Sequence, residues 1–220
     1  MKSTFIDLSH EIESGMITYR GLPAPVITDF LSREASRKNY APGTEFHIGK
    51  IEMVANTGTY VDSPFHRYEN GADLAALPLD SLANLEGVVI RASKRAGRAI
   101  GPERFTPGPL QGKAVIIHSG WDAHWRTEQY AEGHPYVTRE TAELLSRSGA
   151  RLVGIDSFNI DDTADLTRPA HSLLLAAGIP VVEHLCNLGS LPDDGFRFFA
   201  VPARVRRFGT FPVRAFAILG

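Results

Sequence analysis

Val54-Ala55-Asn56-Thr57-Gly58-Thr59-Tyr60-Val61-Asp62-Ser63-Pro64-Phe65-His66 is the densest run of chemically unusual residues in the chain. Pro64 disfavours the helical region for Ser63 because its ring crowds the preceding residue, so the run approaching it is read as extended. Side chains alternate along an extended chain, which puts Asn56, Gly58, Tyr60 and Asp62 on one side. His66 follows the proline and can fold back towards them. A strand end that aligns polar groups and then breaks at proline can form the wall of a site. The competing reading is a plain strand entering a turn, with Asp62 accepting nearby backbone amides.

A second pair lies downstream. His171 stands at the start of a predicted helix, and Glu183 interrupts the apolar run Val181-Val182-Glu183-His184-Leu185. A carboxylate buried there needs a partner, because an unpaired buried charge is very costly. On an exposed edge strand it would need none.

Around these groups, β-branched and aromatic residues gather in short runs bounded by Gly or Pro. They predict strands over Phe5–Leu8, Phe46–Ala55, Gly87–Ala92, Ala114–His118, Arg151–Ile155, Pro180–Leu185, Phe196–Val205 and Val213–Leu219. Thr138 can cap a helix that stops at Gly149, and a second helix runs from near His171 to Gly178. Strands at both ends with helices between them indicate a mixed α/β fold in one domain, residues 1–220, and not a doubly wound parallel sheet. The last two strands are expected to pair as a hairpin.

Charge and composition remove whole classes of function. A net charge of -2 gives no electrostatic case for nucleic acid, and Arg204-Val205-Arg206-Arg207 is too short for a binding stripe. Leu173–Val182 is interrupted by Gly178 and Pro180, well short of the roughly 20 apolar residues of a membrane span. The early acids exclude a standard signal peptide, and the single Cys186 cannot form an internal disulfide, so a cytoplasmic location is expected. Cys186 beside His184 has no environment that would lower its pKa. His118-Ser119-Gly120 is not a nucleophile elbow, and Gly112-Lys113 lacks phosphate-loop spacing. The acids from Asp156 to Asp165 read as a solvated loop, with Asp156 able to support a metal-binding histidine.

The run 56–66 resembles the motif His-x-Gly-Thr-His-x-Asp-x-Pro-x-His of the cyclase family of metal-dependent hydrolases, which includes bacterial kynurenine formamidases and isatin hydrolases. Gly58, Thr59, Asp62, Pro64 and His66 match it. Asp7-Leu8-Ser9-His10, Gly120-Trp121-Asp122, His134-Pro135-Tyr136, Gly154-Ile155-Asp156-Ser157 and Val182–Leu188 resemble further family blocks in order. So do Phe198–Pro202 and Pro212–Ala215.

The resemblance implies a swivelling β/β/α-type fold with a central mixed sheet or partial barrel and a few flanking helices. It implies Asp62, His171 and Glu183 as metal ligands and His66 as the acid/base. The two motif histidines are replaced by Asn56 and Tyr60, a weak amide ligand and a phenol of pKa near 10. One zinc or manganese ion, or none, is therefore expected, with Tyr60 donating a hydrogen bond to an oxyanion. Phe65 and Trp121 are candidate substrate contacts, with core packing as the alternative. The implied reaction is hydrolysis of a small formamide, lactam or lactone, often aromatic. Two rivals remain: a metal-free cyclase or isomerase acting on a polyketide-like substrate, and a binding protein on the same fold. The partners expected are a small-molecule substrate and further copies of the chain in a homodimer or homotetramer, with no nucleic acid and no membrane.

Overall fold

Alternation along the strands decides how the chain layers itself. In Ala114–His118, Ala114 and Ile116 enter one buried cluster while Val115 and Ile117 enter another, as expected of a strand covered on both faces. The computed structural model describes residues 3–92, 97–105 and 108–220. In chain order its strands and α-helices are β1 (Thr4–Asp7), β2 (Val26–Leu31), α1 (Arg33–Ser36), β3 (Ile48–Glu52), β4 (Tyr60–Asp62) and β5 (Leu85–Arg91). There follow β6 (Ala99–Ile100), β7 (Ala114–His118), β8 (Tyr136–Val137), α2 (Arg139–Arg147) and β9 (Leu152–Ile155). The chain ends with α3 (Pro169–Ala176), β10 (Val181–Glu183), β11 (Phe196–Phe199), β12 (Thr210–Pro212) and β13 (Phe216–Leu219).

Nine strands form one mixed sheet in the order β1-β13-β11-β5-β7-β9-β10-β4-β12. Its centre, β5-β7-β9-β10, is parallel, and both wings are antiparallel. α2 and α3 belong to the connections that lead into β9 and β10, and they pack on the face that holds Val115, Ile117, Val153, Ile155 and Val181. Phe196, Phe198, Val182 and Val61 fill the opposite face. No helix among the described residues is long and apolar enough to cross a membrane.

The helix ends follow their chemistry. Thr138 caps α2 by accepting from the Thr141 amide at 3.3 Å, and Gly149 beyond its end takes φ +70. α3 starts two residues before His171, at Pro169, a residue pre-set for a first helical turn.

Three expectations are corrected. β11 and β13 are antiparallel neighbours, Phe196 opposite Leu219, but they are not a hairpin: β12 lies between them in sequence and pairs with β4 at the other end of the sheet. The strand read over 196–205 stops at Phe199, ahead of Pro202, which cannot donate to a ladder. The strand read over 46–55 contracts to β3, which pairs with β2 in a separate exposed ribbon showing Ile27, Phe30, Ile48 and Ile51 to solvent.

Gly209, just before β12, fixes how closely the two ends of the site approach. A Cβ there would lie 2.6 Å from His66 Cα and 2.7 Å from its nitrogen, and backbone cannot step aside as a flexible side chain can. Gly209→Ala is expected to cost about 1–3 kcal/mol, lowering the melting temperature by roughly 2–4 °C per kcal/mol at this chain length. A variant that melts with the wild type would refute the close approach.

Candidate active site

Strand parity delivers the site. Val61 and Val182 point into one core, so Tyr60, Asp62 and Glu183 point to the other side. β10 and β4 pair with Glu183 opposite Tyr60, and β12 sets Thr210 opposite Asp62. α3 lies over the same face and supplies His171. Tyr60, Asp62 and Glu183 are almost wholly buried. The resulting cleft, about 310 Å³, is lined by Tyr19, Leu22, Asn56, Tyr60, His66, Arg67, Asn159, Arg168, His171 and Glu183. Its position beyond the C-terminal ends of β9 and β10 is where open α/β sheets generally bind ligands.

His171 is the hub. Its Nδ1 lies 2.6 Å from Asp161 Oδ2, while Asp161 also accepts from the backbone amides of Ala170 and His171. An acceptor at Nδ1 turns Nε2 towards the cleft, 3.5 Å from Asp62 Oδ2 and 3.6 Å from Glu183 Oε1. Glu183 is held at both oxygens: Oε1 accepts from the Ile160 amide at 2.7 Å, and Oε2 accepts from the Tyr60 hydroxyl at 2.7 Å. Asp62 Oδ2, by contrast, is buried with no hydrogen-bond partner.

The electrostatics centre on the same imidazole. Burial works against a charged His171, but Glu183, Asp161 and Asp62 outweigh it and hold its pKa well above the ordinary value. Burial pushes Glu183 up to about 7, with His171 opposing the rise. Burial also opposes ionisation of Asp62, yet contacts with His171, His66 and Thr210 keep its carboxyl below the usual range. A proton shared by the pair therefore sits on His171, at the point where three carboxylates converge.

That donor set suits a divalent metal. An orphaned buried carboxylate oxygen of Asp62 and a carboxylate oxygen of Glu183 each lie beside His171 Nε2, and the histidine's other nitrogen has the carboxylate partner that metal-binding imidazoles need. The ligand-to-ligand distances of 3.5 and 3.6 Å are close to the roughly 3.3–3.4 Å edge of a tetrahedron built on metal–ligand bonds near 2.0–2.1 Å. Among the described residues, the three whose ligand atoms all lie within 4.8 Å of one another are Asp62, His66 and His171, while Glu183 reaches the group through His171.

His66 has a different commitment. The Thr210 hydroxyl gives its one proton to Asp62 Oδ1, so it can only accept from His66 Nδ1, 2.8 Å away. This network assigns the proton of neutral His66 to Nδ1 and leaves the Nε2 lone pair free at a ring that is 36% exposed. A base aimed at solvent beside a buried donor cluster is the arrangement that proton abstraction from water requires.

The sequence reading is met unevenly by this geometry. Asp62, His66, His171 and Glu183 come together, and Asn56 reaches the same cleft. Tyr60 does not fit the oxyanion role expected of it, because its only proton already goes to Glu183. Burial first, then the charges of Glu183 and Asp62, raise its pKa well above 10, so it is no phenolate ligand either. Phe65 and Trp121 are not among the cleft-lining residues. Trp121 donates its indole N–H to the Tyr130 carbonyl at 2.9 Å, and the cleft wall is built by Tyr19, Leu22 and Asn159 instead.

Residues 156–161 are buried, not a solvated loop. Asp156 accepts from the Ser119 amide and hydroxyl and from the Gly120 amide, so it braces a turn; Asp161 supports His171. Burial pushes the Cys186 thiol up to about 12, which leaves no thiolate.

The profile of the Cyclase family matches residues 6–162. The kynurenine formamidase of Bacillus cereus is 26% identical over 214 residues, covering 97% of this chain and 96% of its own. Isatin hydrolase A from Labrenzia aggregata, bound to benzyl benzoate, superposes with a TM-score of 0.82 at 22% identity, over 99% of this chain and 94% of that one. A protein described as a predicted metal-dependent hydrolase from Bacillus stearothermophilus gives a TM-score of 0.76 at 22% identity and covers 99% of both chains. These two structures share the mixed α/β fold seen here.

Proposed function

The chain belongs to the cyclase family, and from that premise we propose that it is a metal-dependent hydrolase cleaving the C–N bond of a small aromatic formamide or lactam. The observation that carries this reading is Asp62 Oδ2, buried without a partner 3.5 Å from an imidazole nitrogen that Asp161 has turned towards it. The kinship with a kynurenine formamidase supports the choice of bond.

Asp62, His171 and Glu183 would hold one zinc or manganese ion, which supplies Lewis acidity and brings the pKa of water near neutrality. The chain's own groups do the rest. His66 Nε2 removes a proton from the attacking water as its oxygen bonds to the carbonyl carbon, and Thr210, joined to Asp62, steadies the imidazolium that results. The same nitrogen then returns the proton to the departing nitrogen as the C–N bond breaks, giving an acid and an amine. Tyr60 keeps Glu183 in place throughout.

The test is elemental analysis of chain purified without chelator and then supplied with zinc or manganese, together with hydrolysis of formanilide. About one metal per chain with measurable hydrolysis is expected. His66→Gln is expected to retain the metal and lose about 10²–10⁴-fold in kcat. No metal under either condition ends the proposal and leaves a proton-transfer cyclase as the better reading.

A further inference from the structure

The segment that leads from β9 towards α3 sets three consecutive residues against the site. The Ile160 amide donates to Glu183 Oε1 at 2.7 Å, and the Asp161 carboxylate holds His171 Nδ1 at 2.6 Å. Asn159, the third, lines the cleft with 7% of its surface exposed, and it takes no part in metal binding or proton transfer. Its Oδ1 accepts from the Asp161 amide at 3.0 Å. Because a backbone N–H can only donate, this contact decides which end of the side chain is oxygen. The NH2 group is the end left over. It has no hydrogen-bond partner among the described residues, and it is not one of the polar atoms buried without one. Asn159 therefore presents free amide protons to whatever occupies the cleft.

The other polar groups of the cleft are committed or less firmly held. Tyr60 gives its proton to Glu183, and Asn56 adjoins the Tyr60 hydroxyl. His171 stands between carboxylates, and His66 is the base. Tyr19 comes from the stretch between β1 and β2, which forms no strand or helix among its residues. Asn159 lies instead in the buried run 156–161, where a backbone hydrogen bond fixes its side chain. A donor held in place before the reaction needs no reorganisation when charge develops, which is the requirement for stabilising an oxyanion.

We propose that Asn159 Nδ2 donates to the substrate's carbonyl oxygen and binds it most strongly as the oxyanion. The oxygen of water bonds to the carbonyl carbon while its proton passes to His66 Nε2. The carbonyl π pair moves onto oxygen, where Asn159 Nδ2 donates to it. When that pair returns to re-form C=O, the C–N pair leaves with nitrogen, which takes the proton from His66. Asp161 thus aligns two groups at once, His171 through its carboxylate and Asn159 through its amide. The assignment rests on the hydrolase reading.

The test compares formanilide with thioformanilide, in which sulfur, a weak hydrogen-bond acceptor, replaces the carbonyl oxygen. Wild type, Asn159→Ala and Asn159→Asp are assayed with the same metal at saturation. Asn159→Asp keeps an oxygen for the Asp161 amide and removes the donor. Both variants are expected to keep about one metal per chain and a nearly unchanged KM for formanilide. Their kcat on formanilide should fall about 10²–10³-fold, the effect of losing one oxyanion donor. On thioformanilide the fall should be smaller by at least about tenfold, since little hydrogen bonding is lost there. The charge added in Asn159→Asp acts on both substrates and cancels in their ratio. Equal losses on the two substrates would mark Asn159 as a support for Asp161 and overturn the proposal, as would an unchanged kcat. A wild type that hydrolyses neither substrate defeats the hydrolase reading and this assignment with it; hydrolysis with an unaltered ratio defeats the assignment alone.

Discussion

His171→Ala protein is expected to bind no metal and to hydrolyse formanilide at least about 10³-fold more slowly than wild type, a loss within the range that removal of a proton-transfer residue causes. The variant removes the imidazole that lies beside Asp62, Asp161 and Glu183, so three buried carboxylates lose their shared partner. Removing one partner of a buried charge pair costs about 3–5 kcal/mol, and a lower melting temperature should accompany the loss of metal. Asp161→Asn is the milder companion. It keeps the ring but loosens its orientation, and such supporting changes typically lower metal affinity about 10–100-fold. A His171→Ala chain that still carries one metal would place the ion elsewhere.

The same imidazole predicts how stability depends on pH. Its folded pKa is raised, so the stability it contributes without metal is complete below its unfolded value near 6.5 and is lost as pH rises through the folded value. A metal needs the deprotonated ring, so its affinity grows in the same direction. Metal-stripped protein should therefore become less stable on going from pH 6 to pH 9, and zinc-loaded protein should not. Urea midpoints at the two pH values decide it; parallel trends with and without metal would remove His171 as the group responsible.

Tyr60→Phe carries the second large effect. The phenol donates to Glu183 Oε2 and lies 3.2 Å from His184 Nε2, while Tyr130 lies 2.8 Å from His184 Nδ1. With the Tyr60 proton on Glu183, His184 donates to Tyr60 through Nε2, and its Nδ1 accepts from Tyr130. Burial, with His10 adding to it, pushes His184 down to about 3, so this ring is a neutral link. Deleting one hydroxyl orphans two buried groups at about 1–3 kcal/mol each, a fall of roughly 5–20 °C in melting temperature at 2–4 °C per kcal/mol. It also frees Glu183 to shift. A Tyr60→Phe variant with wild-type melting and wild-type metal content would show that the hydroxyl ties nothing down.

Much of this site was visible as pattern. Alternation correctly set Tyr60 and Asp62 on one side of a strand, because three consecutive residues before a proline have little other choice. It fails at Gly58, where φ +66 breaks the extended run, and Asn56 reaches the cleft by another path. Glu183 was marked by being a carboxylate in an apolar strand, and the structure supplies the partners that such a residue must have. Asp161 was hidden among four acids within ten residues, where composition suggests solvent. The clue available was Phe158 and Ile160 beside it, a short apolar alternation that signals burial. Thr210 lay in a segment read as a connection, since a three-residue strand ending in proline has no measurable period.

β4 is held between two neighbours that the ribosome makes much later. Asp62 and Thr210, bonded through their side chains, are 148 residues apart, and β10 on the other flank is nearly as distant. At about 5–20 residues per second, the segment 56–66 spends on the order of ten seconds outside the ribosome before either strand beside it exists. During that time its backbone has no ladder partner, and Tyr60, Val61 and Asp62 have no interior to enter. Closing so long a loop is also what slows folding in solution. The reactive centre thus takes shape only after Thr210 has been made, however early the residues of its motif emerge.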